Sequence, residues 1–563
     1  MSTQRAQSGQ RAKSTLSTQS GQRAEGAGLL RYLLPLLICG AFLALQIPHL
    51  NYGTTINNLP HIASAKVPAG AINASRLDRR NLIAERSGIA ESPGKWAMRF
   101  KIYSVMPDDI VSIMALARIK PAALRLDPGF YLYGGGFIYP LGAWYLGAKT
   151  LGAVEPGNVA QLLAAPDRMD AVFTTGRFFV LLAFVGSALL LWAALARLTK
   201  PGIAALCLGL YLTVPASVLF SLHIKPHWYA MLWANLAIFG TIAIFTKRRA
   251  GIWTLVLIGA GTGLAVGSAS SFAPLSIAIW LALVGAVANG FAPRRSLVVV
   301  PAVAALVFLA TNPYVILNWS SFQAERAAIA KDWFVLDPAL SDLPGFIANS
   351  FFPGVGLALG LLVLGVVVLR LVRPGGPGER PLAIGLLTVI CVVALLTGAM
   401  QSWNINLRYA PYFLSGALIL LALSDIRWKG PILGTALALT IAQAAPLWLA
   451  FGDENSPKHS TRLRAATWIA RNIPANAAIS LGTRTPGPYD VPPIELNRYR
   501  ITHKAPEFLI ITHPAHPLAE PSDGKLIKRF RARLSLDRLP LVYDFINPTI
   551  SVYRMRPVSR QAQ

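Results

Sequence analysis

Two adjacent carboxylates follow a proline in the phrase Phe100-Lys-Ile-Tyr-Ser-Val-Met-Pro-Asp-Asp-Ile, placing Asp108 and Asp109 side by side. Neighbouring side chains at a helix start point in different directions, so one can face a site while the other caps the helix or meets a cation. A carboxylate here can act as a general base, and it can equally do no more than favour the positive end of a helix. A second phrase, Leu126-Asp-Pro-Gly-Phe-Tyr-Leu-Tyr-Gly-Gly-Gly, adds Asp127 and Tyr133.

Cationic candidates come later in the chain. Phe220-Ser-Leu-His-Ile-Lys-Pro-His-Trp-Tyr holds His223, Lys225 and His227. Two histidines four residues apart can grip a metal from one helix face, but Pro226 between them breaks that geometry. An ammonium beside imidazoles and aromatics suits a phosphate better, with ordinary interfacial anchoring as the competing use. Ala-Thr-Asn312-Pro-Tyr314 and Trp-Asn-Ile-Asn-Leu-Arg408-Tyr409 supply further polar groups at helix ends.

Composition says what must position these residues. The chain has 563 residues, 54% hydrophobic and only 14% charged, with a mean hydropathy of +0.49 and a net charge of +27. Soluble domains carry about 25% charged residues, so a soluble enzyme is excluded. The apolar excess also excludes a disordered chain and a nucleic-acid binder. Cys39, Cys207 and Cys391 sit in apolar runs, which argues against a disulfide framework.

Apolar runs long enough for about 30 Å of hydrocarbon are Leu29–Leu50, Arg177–Leu195, Ile203–Leu222, Trp228–Phe245, Trp253–Ser270, Phe272–Ala288, Leu297–Leu317, Phe351–Leu371, Leu382–Met400, Tyr409–Leu423 and Ile432–Phe451. A twelfth stretch, Phe130–Val154, is rich in Gly and Tyr and contains Pro140. If it does not cross, the short basic loops at Arg197/Lys200, Lys247–Arg249, Arg294/Arg295, Arg370–Arg380 and Arg427/Lys429 all fall on the cytoplasmic side, as basic loops should. The expectation is therefore eleven crossings, a cytoplasmic amino terminus and an external carboxy terminus, with Phe130–Val154 along the outer interface or re-entrant. Asp108, Asp109, Lys225, Asn312 and Arg408 then share one membrane face.

The fold class expected is an all-α polytopic membrane domain with a small carboxy-terminal α/β domain. Residues 1–28 read as a disordered basic tail repeating QSGQRA, residues 29–451 as the membrane domain with a large outer loop at 51–176, and residues 452–563 as the extracytoplasmic domain. In that last part, a helical phrase at Thr461–Asn472 precedes strand-like runs at Ala478–Leu481, Phe508–Ile511, Leu541–Phe545 and Thr549–Tyr553.

Taken together, these phrases resemble the GT-C class of integral-membrane glycosyltransferases, nearest to the family 39 group that includes protein mannosyltransferases and aminoarabinose transferases. The resemblance is carried by MPDDIVSIMALARI, DPGFYLYGGGFIYPLGAWYL, RMDAVFTTGRFFVLLAFVGSALLLWAALARL, FSLHIKPHW, FLATNPYVILNWSSF and NLRYAPYFLSGALILLAL, in that order over about residues 100–450. It implies a polyprenyl-phosphate-linked sugar donor, a glycan, lipid or protein acceptor entering from outside, and inverting transfer assisted by an aspartate base. Asp108 matches the first position of the family's acidic pair, and Asp109 stands where Glu is common. Lys225, His227 and Arg408 are the implied phosphate ligands, with Tyr133, His223, Tyr409, Asn312 and Tyr314 lining the substrate. The chain departs from the family in its long insertion at 51–99, in His227 where an acidic residue is frequent, and in Ser270-Ser271-Phe272 where a lysine-containing phrase is common. No nucleotide motif is present and no cofactor is expected, a divalent metal being open but not indicated. A bacterial inner membrane is the expected location. A transporter or flippase for an amphiphilic anionic lipid is the alternative reading, although no internal repeat supports it.

Overall fold

The computed structural model of the chain describes residues 33–67, 93–155, 157, 159–333, 351–372, 410–424, 426–482, 487–502, 504–513, 521–533 and 546–556. The amino-terminal tail, Asp78, Arg79 and Arg80 of the insertion, the run Leu382–Met400 with Cys391, the pair Arg408 and Tyr409, and the run Leu541–Phe545 lie outside the described residues.

Among the described residues, five helices are long and apolar enough to cross a membrane, beginning with Leu33–Asn58, whose last turns are 3-10 in character, and ending with Lys429–Glu454. Five shorter apolar helices, Pro201–Thr213, Ile252–Ser268, Ser296–Thr311, Leu357–Leu369 and Leu414–Leu423, coincide with other expected crossings. The architecture is thus a polytopic helical membrane domain. Its helices are apolar on nearly every side, as helices facing both protein and lipid must be. Two boundaries move. The second long helix is Arg168–Leu195, so Arg177 lies inside it and is fully buried. The run Ile203–Leu222 is two helices, Pro201–Thr213 and Pro215–Phe220, meeting at an extended Val214. Pro215 has no N–H for the Tyr211 carbonyl and forces its predecessor out of the helical region. The Ser217 hydroxyl donates to that orphaned carbonyl at 2.6 Å instead.

Polar glue appears between crossings. Asn235 donates to the Ser187 carbonyl and hydroxyl at 3.0 and 2.9 Å, and the Ser187 and Tyr211 hydroxyls lie 2.8 Å apart. Three helices are thereby joined by hydrogen bonds where water is absent.

The ambiguous stretch contains one helix, Gly135–Thr150. Its first turn meets Gly267 and Asn312 at the last turns of two neighbours, while Trp144 and Tyr145 donate to the Thr175 and Val172 carbonyls in the early turns of Arg168–Leu195. Phe137 packs on Tyr229 at the start of Pro226–Lys247. These contacts fall at the neighbours' ends on the side that carries Asp108, so the helix lies across those ends.

The carboxy-terminal part begins without a break where Lys429–Glu454 ends. Helix Thr461–Asn472, capped by the Ser460 hydroxyl, buries Ala465 and Ile469 against a five-stranded sheet. The strands are β1 Ala478–Ser480, β2 Arg500–Ile501, β3 Phe508–His513, β4 Gly524–Phe530 and β5 Thr549–Met555, in the spatial order β2-β1-β3-β5-β4. β1 pairs parallel with β2 and β3, whereas β5 pairs antiparallel with β3 and β4.

Candidate active site

The helix that starts at the acidic pair runs Asp109–Arg118. Asp108 occupies the N-cap position, but its side chain makes no capping hydrogen bond. The two carboxylates instead turn to opposite environments.

Asp109 points inward and is fully buried together with Arg177. Its Oδ2 accepts from Arg177 Nε at 3.0 Å, Arg177 Nη2 at 2.8 Å and the Ser104 hydroxyl at 3.2 Å. Its Oδ1 accepts from the Ile224 amide at 2.9 Å. The remaining guanidinium donor, Nη1, spans the Leu50 and Tyr52 carbonyls at 2.9 Å each, and the guanidinium carbon lies 3.9 Å from the centroid of the Tyr52 ring. Four separate stretches of chain therefore meet on one ion pair: residues 50–52, residues 104–109, the helix bearing Arg177, and the turn at Ile224. Burial pushes the Asp109 carboxyl up in pKa, against the pull of Arg177, the Ile224 amide and Lys225. Asp109, expected as a catalytic residue, is held in this buried ion pair with both oxygens engaged.

Asp108 points outward and keeps 21% of its side chain exposed. Its Oδ2 lies 2.5 Å from Lys225 Nζ, whose side chain is only 3% exposed. Lys225 is extended because Pro226 follows it, and it immediately precedes helix Pro226–Lys247. The turn is fixed from below, since Ser112 donates to the Ile224 carbonyl at 2.8 Å. His223 sits beneath this pair with Tyr52 and Phe220 against its ring, and neither ring nitrogen has a hydrogen-bond partner. Burial first, then Lys225 and Arg177, hold its imidazole well below the usual histidine range, so it stays neutral. His227 is buried against Tyr133, ring centroids 6.5 Å apart.

Tyr133 links this centre to a small cleft whose walls include Phe130, Tyr139, Asn312 and Tyr314. The cleft encloses about 10 Å³, room for roughly one water, so it is not a sugar site as it stands. Asn312 does not offer its amide to a ligand. Its Oδ1 accepts from the Gly135 amide at 2.8 Å, and its Nδ2 donates to the Gly267 and Phe308 carbonyls at 3.1 Å each and to Thr311 at 2.9 Å. Asn312 thus lines the cleft and also staples three helix ends together. Glycine is required next to it, since a Cβ on Gly134 would stand 1.9 Å from the Gly267 carbonyl oxygen.

Arg177 and Glu325 help organise the site and were not singled out from sequence, whereas Asp127 was. Arg177 was placed at a helix border, although a lone arginine in an apolar run is itself a signal of an internal partner. Glu325, buried in helix Trp319–Trp333, accepts from the Tyr131 and Leu132 amides at 2.7 and 2.8 Å. Asp127 accepts from the Gly129 amide at 2.9 Å and the Tyr131 hydroxyl at 3.1 Å, and is bonded also to Asn318. Nothing local in the sequence pairs Glu325 with a loop nearly two hundred residues earlier.

No family model and no curated protein matches the sequence. Among solved structures, the chain is similar to the Archaeoglobus fulgidus oligosaccharyltransferase in complex with zinc and sulfate, at 16% identity and a TM-score of 0.40, over 72% of this chain and 55% of that one. It is similar to archaeal AglB from the same organism, solved with an inhibitory peptide and a dolichol-phosphate, at 13% identity and a TM-score of 0.39, over 77% and 64% of the two chains. It is also similar to apo ArnT from Cupriavidus metallidurans, at 12% identity and a TM-score of 0.38, over 86% and 97%. These solved structures are GT-C glycosyltransferases. The chain spans between about half and two thirds of the length of the oligosaccharyltransferases it matches.

Proposed function

We propose that this membrane protein transfers a sugar from a polyprenyl-phosphate-linked donor to an acceptor hydroxyl at the extracytoplasmic face, with inversion and with Asp108 as general base. The observation that carries the reading is the Asp108–Lys225 pair: a half-open carboxylate beside a nearly buried ammonium, backed by a scaffold with no slack. An acceptor hydroxyl oxygen would attack the anomeric carbon as the bond from that carbon to the phosphate oxygen breaks. The hydroxyl proton goes to Asp108, and polyprenyl phosphate leaves carrying the bonding electrons. Lys225 then has two successive partners. In the free protein it neutralises Asp108, and on donor binding the phosphate competes for the ammonium, leaving Asp108 a stronger base and placing positive charge where the leaving group develops its own. His227 and Tyr133 would border the donor, with Arg408 and Tyr409 as further ligands. The basic loops support an orientation with the site outside and the amino terminus in the cytoplasm of a bacterial inner membrane.

The test is transfer in reconstituted proteoliposomes supplied with a polyprenyl-phosphate sugar. Asp108→Asn is expected to lower turnover per folded molecule by about 10²- to 10⁴-fold, the usual worth of a positioned base. Wild-type product formation by Asp108→Asn would remove Asp108 from the role.

A further inference from the structure

Between the acidic-pair helix and the Asp127 loop, the chain makes a six-residue excursion, every residue of which is exposed. Lys120 and Arg125 are cross-bridged, the Lys120 amide donating to the Arg125 carbonyl at 2.7 Å and the Arg125 amide to the Lys120 carbonyl at 3.1 Å. Pro121–Ala123 form one 3-10 turn, and the Leu124 amide donates back to Pro121 at 2.9 Å. The excursion is thus a closed, rigid tip. Three of its features are unfavourable in water. Leu124 holds a left-handed backbone, φ +52°, which a leucine avoids. Its side chain is 85% exposed. Two cations stand directly opposite each other across the bridge, an arrangement that costs stability unless an anion lies between them.

The surroundings identify what removes these costs. The tip is anchored beside helix Gly135–Thr150: Tyr139 donates to the Leu126 carbonyl at 3.1 Å, and Arg118 donates to the Gly129 carbonyl at 2.6 Å. Across the Asp127–Asn318 bond lie Ile316, Leu317 and Trp319, all exposed, one turn beyond the end of helix Ser296–Thr311, whose own Leu306 and Leu309 are exposed. Exposed leucines on a membrane crossing face lipid, and a tryptophan just past its end is placed at headgroup level. Leu124 and Leu126 extend that same apolar surface, flanked by Lys120 and Arg125.

We propose that the 120–126 tip is a membrane-docking element, with Leu124 seated in the outer leaflet and Lys120 and Arg125 bound to the phosphates of anionic phospholipids. This inference rests on the chain being a membrane protein and is independent of the transfer reading. It makes the loop that carries the acidic pair ride on the lipid surface at its far end, so that the height of Asp108 above the bilayer is set by the membrane itself.

The test uses the full-length protein with Leu124→Cys carrying an environment-sensitive fluorophore, corrected for labelling of the unsubstituted protein. It is reconstituted in phosphatidylcholine vesicles with and without phosphatidylglycerol. Quenching by lipid-borne nitroxide, little quenching by aqueous iodide, and stronger lipid quenching when phosphatidylglycerol is present are expected. Lys120→Gln and Arg125→Gln are each expected to shift the tip towards water by about fivefold, the worth of one cation near an anionic surface. Ready iodide quenching with no nitroxide quenching would overturn the proposal. So would shielding that grows with protein concentration in lipid-free micelles, since that outcome makes a second copy the partner. Because residues 120–126 are all exposed, these substitutions leave the core intact, and transfer activity is not a readout.

Discussion

Two carboxylates one residue apart show two ways of using charge at a membrane face. Around Asp109 each oxygen is engaged, solvent is excluded, and four stretches of chain converge on Arg177. Around Asp108 the Lys225 ammonium is held at 2.5 Å, and a fifth of the side chain remains open. The first region spends charge on shape, and the second keeps charge available. Neither would work alone, because a base at a lipid boundary is useful only if its position is held by something that does not titrate or move.

This contrast can be broken at its closed end first. Arg177→Met leaves Asp109 buried without its cation, a loss of roughly 3–5 kcal/mol where a buried pair is split. The yield of monodisperse protein and its thermal midpoint in detergent should both fall, and further than in Asp108→Asn, where the lost partner of Lys225 is a carboxylate still a fifth open to solvent. Equal stability of the two variants would mean that the regions are not distinct. Arg177→Lys should recover little, since one ammonium cannot serve Asp109 and the Leu50 and Tyr52 carbonyls together. A smaller effect is expected at the neighbouring staple. Asn312→Ala strands the Gly135 amide and should cost about 1–3 kcal/mol, read as a lower thermal midpoint. Smallest is Ser217→Ala, which unsatisfies the Tyr211 carbonyl at the proline break and should cost about 1 kcal/mol without altering transfer. A large activity loss in that variant would show that the break reaches the site.

What could be read in advance follows from the physics of each element. Apolar length and loop charge are written locally, so the crossings appear in the sequence as helices, with errors where a proline interrupts a run or an arginine hides in one. Helix Thr461–Asn472 was legible from its apolar stripe. Strand β4, Gly-Lys-Leu-Ile-Lys-Arg-Phe, was missed because its exposed lysines obscure the alternation, and the two-residue β2 is too short to carry any pattern. In the site, the residue types at Asp108, Lys225 and His223 stood out. The division of labour between Asp108 and Asp109 did not, because it depends on Arg177, sixty-eight positions away. The bonds of Asn312 to its neighbours were hidden for a related reason: a polar residue at a helix end looks alike whether it serves a ligand or the next helix.

The last membrane helix has a consequence of its own. It ends in Asp453 and Glu454, and Glu454 is fully buried against Arg462 and the Asn547 amide, while Asp453 accepts from Arg533. On the opposite flank Asn455 accepts from the Gly53 amide at 2.7 Å, and His61 meets the Pro493 carbonyl at 2.7 Å. A chain severed after residue 452 would lose both acids from the end of that helix together with the arginines that pair them, and, without Asn455 and the Pro493 carbonyl, would unseat residues 53–61 just beyond the segment that Arg177 grips. The carboxy-terminal part is therefore a keystone: a truncated protein should fail in its membrane half as well.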